Sequence, residues 1–116
     1  MSEAQCLFCR IASGEIPATV VFEDEHVLAF RDIDPKAPTH ILVIPRNHVT
    51  SLATAQAGHG DLLGRILLTA AELARAEGIA ENGYRTVLNT GADGGQSVHH
   101  LHLHLLGGRA MGWPPG

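Results

Sequence analysis

The chain lacks several features that would commit it to common classes of partner. It has 8 lysines and arginines against 12 acidic residues, and no basic cluster. With histidines neutral its charge is −4, which excludes a surface that tracks duplex nucleic acid, because such surfaces need concentrated positive charge. A small anion stays open as a ligand, since a few backbone N–H groups and imidazoles can hold one phosphate. No apolar run approaches the roughly 20 residues of a membrane span, so no membrane partner is expected. The opening MSEAQCLFCR is too polar for a signal peptide, and a cytoplasmic location is the expectation. Cysteine occurs only at Cys6 and Cys9. In a reducing compartment that pair reads as thiols or metal ligands, not as a structural disulfide.

Repeats, low-complexity tracts and linkers are also missing, and 116 residues suffice for one core and not two. The expectation is a single domain spanning 1–116. The segment CLFCRIASG reads as a short helical turn stopped by Gly14. Residues 20–22 and 27–30 are strand candidates around a polar DEH turn, so they form a hairpin. Residues 31–40 carry two prolines and no period and read as a loop. HILVIP (40–45) is a buried strand ending at Pro45. Leu62, Leu63, Ile66, Leu67, Ala70, Leu73 and Ala74 place one apolar face on a helix over about 61–77, stopped by Gly78. YRTVLNTG (84–91) and HLHLHLL (100–106) are the last strands, separated by a glycine-rich loop, 92–97. Short turns between consecutive strands imply an antiparallel sheet covered by one long helix, an α+β domain.

Four of the eight histidines lie between positions 99 and 104. On a strand, side chains at i, i+2 and i+4 share a face, about 7 Å apart. His100, His102 and His104 therefore line one face, and Leu101, Leu103 and Leu105 the other. On a helix the same residues would scatter. A solvated polar row would be better served by threonine or lysine. Two chemical readings stay open: a three-histidine metal site, and nucleophilic catalysis by an imidazole whose tautomer its neighbours fix. The preceding loop favours the second. Gly94 and Gly95 let several N–H groups point into one concavity, Gln96 and Ser97 add polar groups, and an anion held there would face the histidines.

HLHLHLL is the histidine triad motif, and the chain resembles the histidine triad (HIT) superfamily. CLFCRIASGEIPATVVFEDEHVLAFRDIDPKAPTHILVIPRNHV, LNTGADGGQSV and LGGRAMGWPPG extend the likeness to its nucleotide-binding branch over nearly the whole chain. The resemblance implies a HIT-like fold with a five-stranded antiparallel sheet, one long helix and a short N-terminal helix. It also implies a homodimer in which the tail 109–116 contributes to the interface and the active site. The implied activity is hydrolysis of purine nucleoside phosphoramidates through a covalent nucleotidyl-histidine. The related dinucleoside polyphosphate hydrolases, and a nucleotide-binding module with weak activity, are the alternatives. By resemblance His102 attacks the α-phosphorus, His104 contacts the phosphate, and His100 orients His102. His40 is the fourth associated histidine, and Ser97 assists proton delivery to the leaving amine. Gly95 and Gln96 belong to the phosphate loop, Asn89 bonds the phosphate or leaving group, and Asp32 accepts from the ribose. Phe8, Ile11, Phe30 and Ile33 sandwich the base, and Trp113 reaches the partner's site. No cofactor is required for catalysis. The Cys6–Cys9 pair with His48 and His100 matches a structural zinc set found in some relatives, while His99 is a rival ligand that a regular strand would turn to the leucine face.

Overall fold

The computed structural model describes residues 3–116. Its order is a 3-10 turn at Glu3–Gln5, α1 (Leu7–Ala12), β1 (Val20–Glu23), β2 (Val27–Arg31), β3 (Thr39–Pro45), 3-10 turns at Leu52–Thr54 and Ala57–His59, α2 (Gly60–Ala76), β4 (Tyr84–Val87) and β5 (Leu103–Gly107). The five strands form one antiparallel sheet in the order β1-β2-β3-β5-β4. This is the expected α+β architecture.

Local chemistry sets the boundaries. Cys6 caps α1 by accepting the Cys9 N–H at its sulfur, and Gly14, at φ 83°, lets the chain leave the helix. Asp24 builds the hairpin turn by accepting from the N–H groups of His26 and Val27. Glu77 caps α2, and Gly78 follows at φ 75°.

Strand β3 is buried along its whole length because both faces of the sheet are covered. Alternation sorts its neighbours. Val27, Ala29, Ile41, Val43, Leu101, Leu103 and Leu105 meet Ile66, Ala70, Leu73 and Ala74 of α2. Leu28, Phe30, Leu42 and Ile44 meet Cys6 and Phe8 on the α1 side.

Two expectations change. The predicted strand 100–106 begins only at Leu103, and the predicted strand 84–91 ends at Val87. Continuing the β3–β5 register beyond Val43↔Leu103 would set Leu101 opposite Pro45, which has no N–H to extend the ladder. The Leu101 N–H bonds the Val49 carbonyl instead, at 2.7 Å. Leu67, placed above on the apolar face of the helix, is 55% exposed, and neighbouring Leu68 is 69% exposed. Helix α2 thus carries an apolar surface outside this chain's own core.

Candidate active site

Shortening the last strand does not undo its alternation. Leu101 and Leu103 are buried toward α2, while His100 and His102, both buried, stay on the α1 side with half-buried His104. His99 precedes the strand, in a bend, and is exposed, so the regular strand that would turn it to the leucine face does not reach it.

Hydrogen bonds assign each ring its tautomer. His102 Nδ1 lies 2.8 Å from the His100 carbonyl, which can only accept. Nδ1 therefore carries the proton and Nε2 keeps its lone pair. The Lys36 backbone N–H donates to His40 Nδ1 (3.0 Å), so the proton of His40 sits on Nε2 and is donated to His104 Nδ1 (2.9 Å). His104 then presents its own Nε2–H as a donor. Burial pushes the His102, His40 and His104 rings below the usual imidazole range, and His104, also facing His102 and His40, falls to about 4. At neutral pH the array is an uncharged imidazole with a free lone pair at His102 beside an uncharged N–H donor at His104.

His102 and His104 line a cavity of about 270 Å³. Its apolar wall comes from Phe8 and Ile11 of α1, the segment 16–18, Phe30 and Leu42, and its polar end from Asp32, Ser97, His102 and His104. The Phe8 ring meets His102 edge-on with centroids 5.1 Å apart. A cleft of about 320 Å³ between Gly78–Gly83 and Gly108–Ala110 has Arg109 as its one charged side chain and no nucleophile, whereas the cavity of about 270 Å³ carries the imidazoles of His102 and His104.

The structure brings Phe8, Ile11, Phe30, Asp32, Ile33, Ser97, His102 and His104 together at this cavity. His40 stands behind it, bonded to His104. Asp32 has two duties: Oδ1 accepts the Asp34 N–H at 2.8 Å, and Oδ2 lies 3.5 Å from His40 Nε2. Asn89, Gly95, Gln96 and Trp113 do not line the cavity. Trp113 is 83% exposed on a tail held by Arg85 to the Gly112 carbonyl and by Arg109 to the Lys36 carbonyl. Sequence reasoning missed Leu42 and Val98, although each shares the even-number alternation of the histidines. It also missed the Lys36 N–H and the Pro45 carbonyl, backbone groups with no side-chain signal.

Cys6, Cys9, His48 and His100 place one donor atom each within 4.8 Å of one another. Sulfur-to-nitrogen distances are 3.4 Å from Cys6 to His100, 3.3 Å from Cys9 to His48 and 3.4 Å from Cys9 to His100, all at Nδ1. A tetrahedral zinc would space such donors by about 3.6 Å. His100 Nε2 donates to the Pro45 carbonyl at 2.8 Å, which leaves Nδ1 bare toward the sulfurs. An open cleft lined by Cys9 and His48 gives an entry path. Burial, and then the Cys6 thiol, pushes Cys9 up to about 12, so a cation would have to displace its proton. The residues fit a closed four-ligand site. Asp32, His40 and His104 also converge, but the Lys36 N–H fixes the His40 proton on Nε2, the atom that would have to ligate. That trio is wired as a proton-bearing network and not as a metal site.

Fold, triad and cavity together define a histidine-triad domain. A model of the HIT domain family matches residues 13–111, and the chain belongs to that family. A protein named adenylylsulfatase HINT1 from Arabidopsis thaliana is 56% identical, covering 99% of this chain and 79% of its own. Purine nucleoside phosphoramidase from Escherichia coli K12 is 49% identical, covering 93% and 91%. A 14 kDa zinc-binding protein from Zea mays is 53% identical, covering 100% and 91%. The crystal structure of a HIT family hydrolase from Legionella pneumophila Philadelphia 1 superposes with a TM-score of 0.95 at 59% identity, covering 97% and 100%.

Proposed function

We propose that this chain hydrolyses purine nucleoside 5′-phosphoramidates through a nucleotidyl-histidine. The carrying observation is the bare Nε2 of His102, fixed by the His100 carbonyl, in a cavity with one apolar wall and a polar end. The base lies between Phe8, Ile11, Phe30 and Ile33, and Asp32 accepts from the ribose. His102 Nε2 attacks the α-phosphorus, the P–N bond breaks, and its electron pair leaves on the amine, which takes a proton relayed from solvent through the hydroxyl of exposed Ser97. The His104 N–H stabilises charge growing on the phosphoryl oxygens. Water then attacks phosphorus, the P–Nε2 bond breaks, and the nucleoside monophosphate leaves. Purine preference rests on the name of the Escherichia coli relative. The name of the Arabidopsis relative favours adenylyl sulfate as a second substrate, with sulfate in place of the amine and the same attack at phosphorus.

Zinc at Cys6, Cys9, His48 and His100 would act as a structural cross-link, because four protein ligands leave no open coordination position. A homodimer is supported by the exposed Leu67 and Leu68 on α2 and by the outer edge of β4, which no strand among the described residues pairs. Trp113 then reaches the partner's cavity. Free Cys6 and Cys9 suit the reducing cytoplasm.

The test is His102→Ala, which is expected to cut turnover of adenosine phosphoramidate by at least about 10³-fold while adenosine monophosphate still binds. Turnover retained by that variant removes His102 from its role. Faster cleavage of a dinucleoside polyphosphate than of the P–N substrate would move the assignment to that alternative.

A further inference from the structure

Backbone bonds close only the first part of the glycine-rich loop. The Gly95 N–H donates to the Ala92 carbonyl at 3.0 Å, and the Gln96 N–H to the Gly91 carbonyl at 3.1 Å. The rest is held by one side chain. Gln96 is 9% exposed, and its amide is bonded at both ends. Oε1 accepts from the Gly91 N–H at 3.1 Å. Nε2 donates to the Thr50 carbonyl at 2.8 Å and to the Val98 carbonyl at 3.0 Å. The partners fix which atom is which, since an N–H can only donate and a carbonyl can only accept. One amide thus joins the entry of the loop, its exit and the segment after β3, 46 residues away in sequence.

This clasp decides which groups face the cavity. The N–H groups of residues 95 and 96 are used inside the loop. The N–H groups of Ser97 and Val98 and the Ser97 hydroxyl have no partner among the described residues, and both residues line the cavity. The amide of Gln96, although adjacent to Ser97 in sequence, is turned inward.

We propose that Gln96 is a positioning residue: its buried amide fixes the loop so that Ser97 and the free N–H groups of residues 97 and 98 meet the phosphate beside His102, while Gln96 itself does not touch the nucleotide. This rests on reading the cavity as a nucleoside monophosphate site. The base wall is built mainly from α1, residues 16–18, β2 with Ile33 just beyond it, and Leu42 of β3, and its side chains share no hydrogen bond with the Gln96 amide. Loss of the clasp therefore acts first on the phosphate end, and reaches the base wall only through the packing of Val98 on the Phe8 and Phe30 cluster. A displacement of about 1 Å at such a site lowers rate by about 10²-fold.

The experiment compares wild type with Gln96→Met, which keeps the length and removes the polar atoms. Adenosine affinity, adenosine monophosphate affinity, kcat and KM are measured on both, with thermal unfolding alongside. The variant is expected to bind adenosine as wild type does, to bind the monophosphate at least about tenfold more weakly, and to lose about 10²-fold in kcat. Equal weakening of both ligands means a merely structural glutamine and overturns the proposal, as do unchanged monophosphate binding and kcat. Wild type failing to bind the monophosphate sinks the nucleotide reading instead, a distinguishable result. Should the variant not fold, amide exchange on wild type decides. Gly91 is expected to exchange slowly despite its exposure, and Ser97 and Val98 to gain protection only when the monophosphate is added. Fast exchange at Gly91, or no added protection at residues 97 and 98 when the monophosphate is bound at saturation, overturns the clasp.

Discussion

His104 titrates well below its ordinary range, and that displacement has a consequence for stability that can be measured apart from catalysis. Burial is the main cause, followed by the neighbouring His102 and His40 rings, and together they lower the ring from 6.5 to about 4. In the unfolded chain the ring takes up a proton as pH falls through 6.5, while in the folded chain it stays neutral until about 4. Between those values the unfolded state binds more protons, so stability present above pH 6.5 is lost as pH falls. The full displacement corresponds to about 3.4 kcal/mol, but the side chain is only half-buried, and solvent screening reduces this to about 1–2 kcal/mol. About 1 kcal/mol of it is lost between pH 8 and pH 5. His104→Asn removes the titrating group and keeps an acceptor for the His40 N–H. Urea unfolding at both pH values, on wild type and variant, isolates the term, because acid effects elsewhere in the chain are shared. Wild type is expected to lose about 1 kcal/mol more than the variant on acidification. Identical losses would refute the claim that His104 is held neutral by its surroundings.

Two further outcomes follow from the cluster and from the helix surface. Protein purified without added metal is expected to carry zinc on Cys6, Cys9, His48 and His100, and a strong chelator lowers Tm by roughly 10–20 °C if free zinc otherwise stands about a thousandfold above Kd. Elemental analysis is the check, and less than about 0.1 equivalent per chain rejects the site. Leu68→Glu places a charge on the exposed apolar surface of α2 and forfeits about 1.5–3 kcal/mol of burial per subunit in a dimer. Sedimentation is expected to show wild type at twice the mass of the variant, and equal masses dismiss α2 as the interface.

Much of the site was legible because alternation in a strand is a strong constraint. Three histidines with leucines between them could only sort as one polar and one apolar face, and they do so even where the ladder has ended. The end of the ladder was not legible from HLHLHLL itself. It depends on Pro45, more than fifty residues earlier, coming opposite Leu101. The exposure of Leu67 was not legible, because helical periodicity marks every apolar residue alike and does not separate a face buried within the chain from one left outside it. Gln96 shows the same limit at the scale of one residue: a polar side chain in a phosphate-loop pattern can point out to a ligand or in to the loop's own backbone. The tautomers were beyond sequence altogether, since the Lys36 N–H and the Pro45 carbonyl are groups that almost any residue would supply.

His100 links the two chemistries of the α1 face. Its ring offers Nδ1 to the cysteine pair, while its carbonyl holds the Nδ1–H of His102. Cys6 and Cys9 belong to the turn that starts α1, and between them Phe8 meets His102 edge-on. A cation at the cluster would therefore tie the N-terminal helix, which supplies part of the base wall, to the residue that orients the nucleophile. Without it, the same groups are joined by thiol–imidazole hydrogen bonds, which are weaker and reversible. The effect falls on pocket geometry and not on the protonation of His102, because the His100 carbonyl accepts that proton whether or not the ring of His100 is ligated. Metal removal should then raise KM and leave the pH profile of kcat in place, the opposite of what a cation acting on the reacting phosphate would do.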